Sequence, residues 1–456
     1  MSFYTGASPY FAHVPNFSFF IPHSSLKILH LPKWYPHRYD DQDGDFVARH
    51  VAAIAAHGGA DGAVLFATVA RGPLAQLIEA DEDFTGPVPT LRYYYRTAPT
   101  GLALLDKPLK LLLYFWCLGR GYRRLRRHWG GQQPDLVHVH VLLRTGLAAW
   151  ALRAWRGIPF IVTEHWTLYL PERAGGISAL RRGLTRAVVR RAAAIHTVSG
   201  GLGRAMAALG FVNPRSVVIA NVVDTALFKP ENAAAEVAQH PAETVAPATA
   251  TASPVPAAAS EAAATAAGTR AGGAPTLLHV SAFHDGVKNI SGVLRVVARL
   301  RASWPGLRLR IAGYGPDEQA LHAYAAQLGL LADGTVAFLG KLPHAAVAAE
   351  MTRATALVSF SRAETFGCVL LEARACGCPV VATRTGGVPE LFEPAEAFGL
   401  LVTPDDEAAL EAALTRVLTK AVVFDPARLR ADAAARCAPA AVGAAFGALY
   451  REVLPD

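Results

Sequence analysis

Five cysteines in 456 residues are too few for a disulfide scaffold. The odd, thinly spread cysteines suit a reducing compartment. No apolar run approaches the roughly 18 residues that span a bilayer; the longest notable one is Leu111–Gly119. The first 26 residues hold no Lys or Arg, so they lack the charged leader of a secretory signal. A cytoplasmic location is the expectation. Charged residues make up only 18% of the chain against 52% hydrophobic, which excludes wholesale disorder. The length suffices for two or three domains, each with its own core.

Charge is uneven. Residues 1–230 carry a balance of +12 and residues 231–456 one of −4. A basic first half could meet a phosphorylated substrate or an anionic surface, although only 8 of the 44 cations are lysine. Residues 231–274 are mostly Ala, Pro, Thr, Ser, Glu and Gly without aromatics or periodicity, the composition of a disordered linker or insertion. Residues 1–25 show no clean period and read as an N-terminal extension.

Between these stretches, short β-rich runs alternate with helix-length segments. Strands are predicted at 27–31, 63–69, 136–141, 159–163, 194–198 and 216–219, and again at 276–281, 307–312, 335–339, 356–360, 379–383 and 399–402. Two sets of six imply two doubly wound α/β domains, about 26–225 and 275–430. Ligands of such sheets bind beyond the carboxyl ends of the strands.

One segment beyond a strand end stands out: Ser359-Phe-Ser-Arg-Ala-Glu364-Thr-Phe366-Gly367-Cys-Val-Leu-Leu-Glu372-Ala-Arg. Glu364 lies in a loop and Glu372 about two turns into the following helix. Two carboxylates so placed can reach two hydroxyl-bearing parts of one ligand, while the helix start between them suits phosphate. An isolated pair would read as a capping acid and a solvated Glu.

The whole stretch, however, resembles the Glu-x7-Glu signature of GT-B retaining glycosyltransferases of family 4. Other blocks match in order. Ile311-Ala-Gly313-Tyr-Gly315-Pro-Asp-Glu resembles that family's Gly-x-Gly-Pro turn, and Thr385-Gly386-Gly387-Val-Pro-Glu390 its later glycine loop. In the first half, Trp34-Tyr35-Pro36 with Gly44-Asp45-Phe46, and Thr163-Glu164-His165-Trp166, resemble the first loop and the active-site histidine loop. Val198-Ser199 and Ile219–Phe228 resemble the segment that closes the acceptor domain.

The resemblance implies a GT-B fold, two Rossmann-like domains facing across a cleft, with a helix near 440–453 returning to the first. It implies transfer of a hexosyl group from a nucleotide sugar to a glycan or lipid-linked acceptor. Glu372 would accept from the ribose hydroxyls, and Glu364 would hold the donor hexose, with Phe366 and Gly367 allowing close backbone approach. Gly313 and Gly315 would line the donor site. Lys288 would meet the diphosphate leaving group, His165 would orient the sugar, and Gly44 and Asp45 would face the acceptor. No metal or other cofactor is implied. The chain departs from the pattern where an Arg is usual: Ala282-Phe283-His284 occupy that stretch and Asn289 replaces a Gly. His284, Arg362 and Arg384 are the candidate substitutes.

Rival signals are weaker. Asp41/Asp43, Asp43/Asp45 and Asp81/Asp83 carry the Asp-x-Asp spacing that chelates a divalent metal in GT-A enzymes, the last in an apparent acidic turn. Cys376 and Cys378 lack the partners of a zinc set and read as core. Gly201-Leu-Gly203-Arg-Ala-Met206 misses the dinucleotide fingerprint and reads as a helix capped by Ser199. Arg120, Arg123, Arg124, Arg126 and Arg127 lie beside the aromatic run at 111–116, a pattern for the headgroup layer of an anionic membrane or for a half-buried helix. No nucleic-acid-binding module is present. A sugar-nucleotide epimerase and a non-enzymatic scaffold on the same fold are the alternatives.

Overall fold

The computed structural model describes residues 26–230 and 274–454. The expected extension at 1–25 and nearly all of the expected linker lie outside the described residues.

Two sheets organise the chain. The first contains β1 (Leu26–Pro32), β2 (Ala60–Val69), β3 (Ile78–Asp83), β4 (Thr90–Tyr95), β5 (Leu136–His140), β6 (Phe160–Glu164), β7 (Ala194–Thr197) and β8 (Ser216–Val218). Their spatial order is β3-β4-β2-β1-β5-β6-β7-β8, parallel except for β3 against β4. The second contains β9 (Thr276–Val280), β10 (Arg308–Ala312), β11 (Val336–Gly340), β12 (Ala356–Ser359), β13 (Val380–Thr383) and β14 (Leu400–Val402). It is wholly parallel, in the order β11-β10-β9-β12-β13-β14. Strand order reverses beside β1 and beside β9, which opens a crevice at each carboxyl edge. β5, β6 and β7 are buried along their whole length, with His138, His140, Glu164 and His196 buried among their apolar residues.

The twelve predicted strands are present with ends shifted by up to three residues, but the β3–β4 pair was not foreseen. Asp81 and Asp83 stand on edge strand β3, not in a turn. Arg38 pairs with Glu79 and Asp81 there, and Arg124 with Glu82, so three of the four acids on this half-exposed edge strand meet a cation.

Helix α1 (Asp45–His57) follows the first loop, α2 (Ala103–His128) links β4 to β5, and α3 (Arg144–Arg156) follows β5. The last helix, Pro439–Val453, lies along α1. Its Gly443 and Gly447 permit this approach: a Cβ at either would fall 2.2 Å from the Ala53 carbonyl oxygen or 2.3 Å from that of Gly58. Tyr450 on the same helix shares a 2.7 Å hydrogen bond with His138 Nδ1.

His138 belongs to an unusual core. His30, His50, His138, His140, His165 and His196 are all buried in the first domain. His138 Nε2 and His196 Nδ1 both bond the Thr163 hydroxyl, and His30 Nδ1 bonds His140 Nε2 at 3.1 Å. Burial pushes His30 and His50 down to about 3 and His196 to about 4, so the core is built of neutral imidazoles.

The five arginines of α2 do not form one free patch. Arg124 is held by Glu82 and stacks on Phe84, and Arg126 donates to the Gly131 carbonyl. Arg120, Arg123 and Arg127 are exposed. The exposed apolar residues lie earlier on the helix, with Leu104 at 90%, Leu112 at 66% and Trp116 at 50%.

Candidate functional site

The candidate residues converge where the two carboxyl edges face each other. In the second domain, β12 ends and its loop carries Glu364 and buried Phe366 to Gly367, whose φ of +90° turns the chain into the helix Cys368–Ala375. Glu364 is fixed from behind by the glycine loop after β13. A Cβ on Gly386 would fall 1.8 Å from the Glu364 carbonyl oxygen, and the φ of +53° there is left-handed, so only glycine fits.

After β9, Lys288 closes a short helical turn, Asp285–Lys288, and its Nζ lies 2.7 Å from Glu364 Oε2. Asn289 occupies a left-handed position (φ +50°), the geometry a glycine would take, and its side chain caps the next helix by accepting from Gly292 N–H. Gly313 lies against Ser281 and Gly315 against Phe283, which closes the β10 loop over the β9 loop.

Glu372 receives a cation from the other domain: Arg49 Nη1 of α1 lies 2.7 Å from Glu372 Oε1. Arg49 also bonds Asp45 at 2.8 Å, and Asp45 reaches back across the cleft to His344 at 3.3 Å. Flanking charges hold the Asp45 carboxyl below the usual range despite its burial, and Asp45 holds the His344 imidazole above its own. Gly44 caps α1 in a left-handed conformation against the Trp34–Tyr35 backbone.

His165 follows β6 and is 7% exposed. Its loop is shaped by buried Glu164, whose carboxylate accepts from the backbone N–H groups of Leu142, His165 and Trp166 at 2.8–2.9 Å. Phe46 lies 4.7 Å and His50 5.3 Å from its ring, between centroids. Burial holds His165 well below its ordinary value, so it is a neutral hydrogen-bonding group, not a strong base.

Two residues at the site escaped the sequence reading. Arg49 is one, though its i,i+4 spacing from Asp45 was a visible signal. Lys33 is the other. It precedes Trp34, its Nζ sits 3.1 Å from the Trp166 ring centroid, and burial lowers it to about 7. The substitutes named for the absent Arg fare differently: Arg362 is bonded to Asp405 and the Asp285 carbonyl, while His284 and Arg384 are exposed.

The Asp-x-Asp carboxylates go to separate partners. Asp40 and Asp41 bind Lys341, Asp43 meets His37 at 3.2 Å, and Asp45 takes Arg49 and His344. Among the described residues, the groups of three His, Cys, Asp or Glu near enough to share one ion are His30–His138–His140 and His50–His140–His165, and neither includes an aspartate. Cys376 and Cys378 are buried in the core.

The domains are joined at the cleft base. Ser199 caps the helix Gly200–Ala208 and donates to the Thr365 carbonyl at 2.6 Å. Glu390 of the glycine loop accepts from Gly200 and Gly201 N–H at 2.9 and 2.6 Å, a carboxylate at a helix N-terminus.

The helix bearing Glu372 is anchored by fully buried Arg374, which bonds Asp432 at 3.0 Å and the Leu391 carbonyl at 2.6 Å. Asp432→Ala should destabilise the protein by about 3–5 kcal/mol, because it strands a buried cation. Arg374→Met with Asp432→Leu should recover much of that loss. Urea unfolding of the wild type and the two variants checks both outcomes.

Comparison with known proteins places the fold and the family. Residues 47–227 match the Glycosyltransferase Family 4 model and residues 263–436 the Glycosyl transferases group 1 model. Glycogen synthase of Mycobacterium tuberculosis is 28% identical over 319 residues, 66% of this chain and 66% of that protein. D-inositol 3-phosphate glycosyltransferase of Stackebrandtia nassauensis is 40% identical over 153 residues, 31% of this chain and 33% of that protein. The matched stretches thus span about two thirds of the first relative's length and one third of the second's. Among solved structures, sucrose-phosphate synthase of Thermosynechococcus elongatus superposes with a TM-score of 0.64 at 20% identity, covering 94% of this chain and 99% of that one. HepE of Anabaena, in complex with UDP and glucose, gives 0.64 at 16% identity, covering 94% and 100%. With two family models side by side over most of its length, the chain belongs to the family 4, group 1 glycosyltransferases of GT-B fold.

Proposed function

We propose that the protein moves a hexosyl group from a nucleotide sugar to a hydroxyl of a glycan or lipid-linked acceptor, with retention of anomeric configuration, in polysaccharide or glycolipid biosynthesis. The observation that carries this reading is the grouping of Glu364, Lys288 and Glu372 around the start of one helix, opposite His165. Glu372 Oε2 would accept from the donor ribose while Arg49 holds Oε1. Lys288 has two further donors beyond its bond to Glu364, directed to a diphosphate whose charge grows as the glycosidic bond breaks. Glu364 would hold hexose hydroxyls. Neutral His165 would position the sugar, and the departing phosphate oxygen would take the acceptor's proton. Trp34, Trp166 and Lys33 offer an aromatic, hydrogen-bonding surface for an acceptor on the first domain.

Because HepE was solved with UDP and glucose, UDP-hexoses are the first donors to try. Proton NMR of the product should give the same anomeric configuration as the donor; an inverted product would refute the mechanism. Activity should survive EDTA, since Lys288 and the helix start meet the diphosphate charge. Loss of activity in EDTA, restored by manganese or magnesium, would contradict that. The exposed Leu104, Leu112 and Trp116 beside Arg120 and Arg123 support docking of the first domain on an anionic bilayer.

A further inference from the structure

Away from the cleft, the second halves of α2 and α3 part over the first sheet. The groove between them has a volume of about 180 Å³ and a floor of Leu29, Leu31 and Leu65. It exists because small residues face it: Gly119, where a Cβ would meet nothing within 4 Å, with Ala148 and Ala151 of α3 opposite.

Its rim is cationic. Arg123, Arg126 and Arg156 border the opening. Among the described residues none of the three has an acidic partner, in contrast to neighbouring Arg124 with Glu82. Arg126 gives one N–H to the Gly131 carbonyl, but its buried Nε has no partner. Arg156 stacks on Trp155, which is 73% exposed. A buried unpaired guanidinium N–H is costly and marks a place for an acceptor.

An apolar slot with three unneutralised arginines at its mouth fits an anionic amphiphile. A neutral apolar ligand would leave the arginines unused, and free phosphate would leave the groove unused. The groove adjoins the exposed apolar stripe of α2. We propose that it takes an acyl chain of an anionic bilayer lipid, with the lipid phosphate on Arg123, Arg126 and Arg156. At roughly 30 Å³ for a water-sized group, the groove has room for about six methylenes. The inference rests on the membrane docking proposed for α2 and adds a defined lipid site to it.

Decyl phosphate below its micellar concentration is the probe, with decyl maltoside and inorganic phosphate as comparisons, read by titration calorimetry on the intact protein. Decyl phosphate should bind with one-to-one stoichiometry and at least tenfold more tightly than either comparison. Gly119→Leu directs a side chain into the groove from a position where a Cβ meets nothing within 4 Å, and should weaken decyl phosphate at least tenfold without lowering the melting temperature, since Leu is the better helix former. Arg123→Gln with Arg156→Gln should weaken decyl phosphate but not decyl maltoside. Equal affinity for decyl phosphate and decyl maltoside, or wild-type affinity in Gly119→Leu, overturns the groove assignment. Sedimentation with phosphatidylglycerol vesicles separates the two readings. Wild-type protein that binds decyl phosphate but ignores the vesicles overturns the bilayer as the source, and with it the membrane reading.

Discussion

Lys288→Ala is expected to lower kcat by about 10²–10³-fold, the usual effect of removing one charged donor aimed at a developing anion. Lys288 is the cation at the end of the β9 loop that touches Glu364, at 2.7 Å. The proposed function gives it two roles. It would hold Glu364 in place for the sugar, and it would meet the diphosphate as charge accumulates there. The second role acts mainly in the transition state, so kcat should fall more than donor affinity. Lys288→Arg should recover part of the rate if charge alone matters. Steady-state kinetics with the best donor measure all three enzymes. Full turnover in folded Lys288→Ala would pass the role to another cation.

The second large effect is on stability. His30, His50 and His196 are buried neutral, held at about 3, 3 and 4, whereas the unfolded chain titrates near 6.5. Above 6.5 both states are neutral and stability is level. Below it the unfolded state binds protons that the folded state refuses, so stability falls as pH falls toward the folded values. Each such histidine contributes about 1.4 kcal/mol per pH unit within that window. For the three together, the loss between pH 7 and pH 5 is roughly 5 kcal/mol, comparable to the whole stability of many domains. Urea unfolding at several pH values should show this slope. A stability flat from pH 7 to pH 5 would mean that these imidazoles are not neutral and buried.

How much of this was legible follows physical lines. The β12–loop–helix block was readable because strand, turn glycine, helix and both carboxylates are contiguous. The β3–β4 pair was not, although Thr90-Leu-Arg-Tyr-Tyr-Tyr95 is rich in strand formers. Its partner Ile78–Asp83 is acidic, and among the described residues its ion pairs are with Arg38 and Arg124 from elsewhere in the fold. The Arg49–Glu372 pair joins residues 323 positions apart and depends on how the domains meet. The pairing of Arg124 with Glu82, 42 positions before it, was hidden for the same reason. The histidine core left a visible trace in Val-His138-Val-His140, but only the fold gathers the other four.

The claim on which the rest depends is that Glu372 receives the ribose of a nucleotide donor. Titration calorimetry of UDP and other nucleoside diphosphates against wild type, Glu372→Ala and Glu372→Gln addresses it directly. The lost charge-assisted hydrogen bonds are worth roughly 1.5–3 kcal/mol, so both variants should bind the preferred nucleotide about ten- to a hundredfold more weakly. Unchanged affinity in folded variants, or no nucleotide binding by the wild type, would contradict the account.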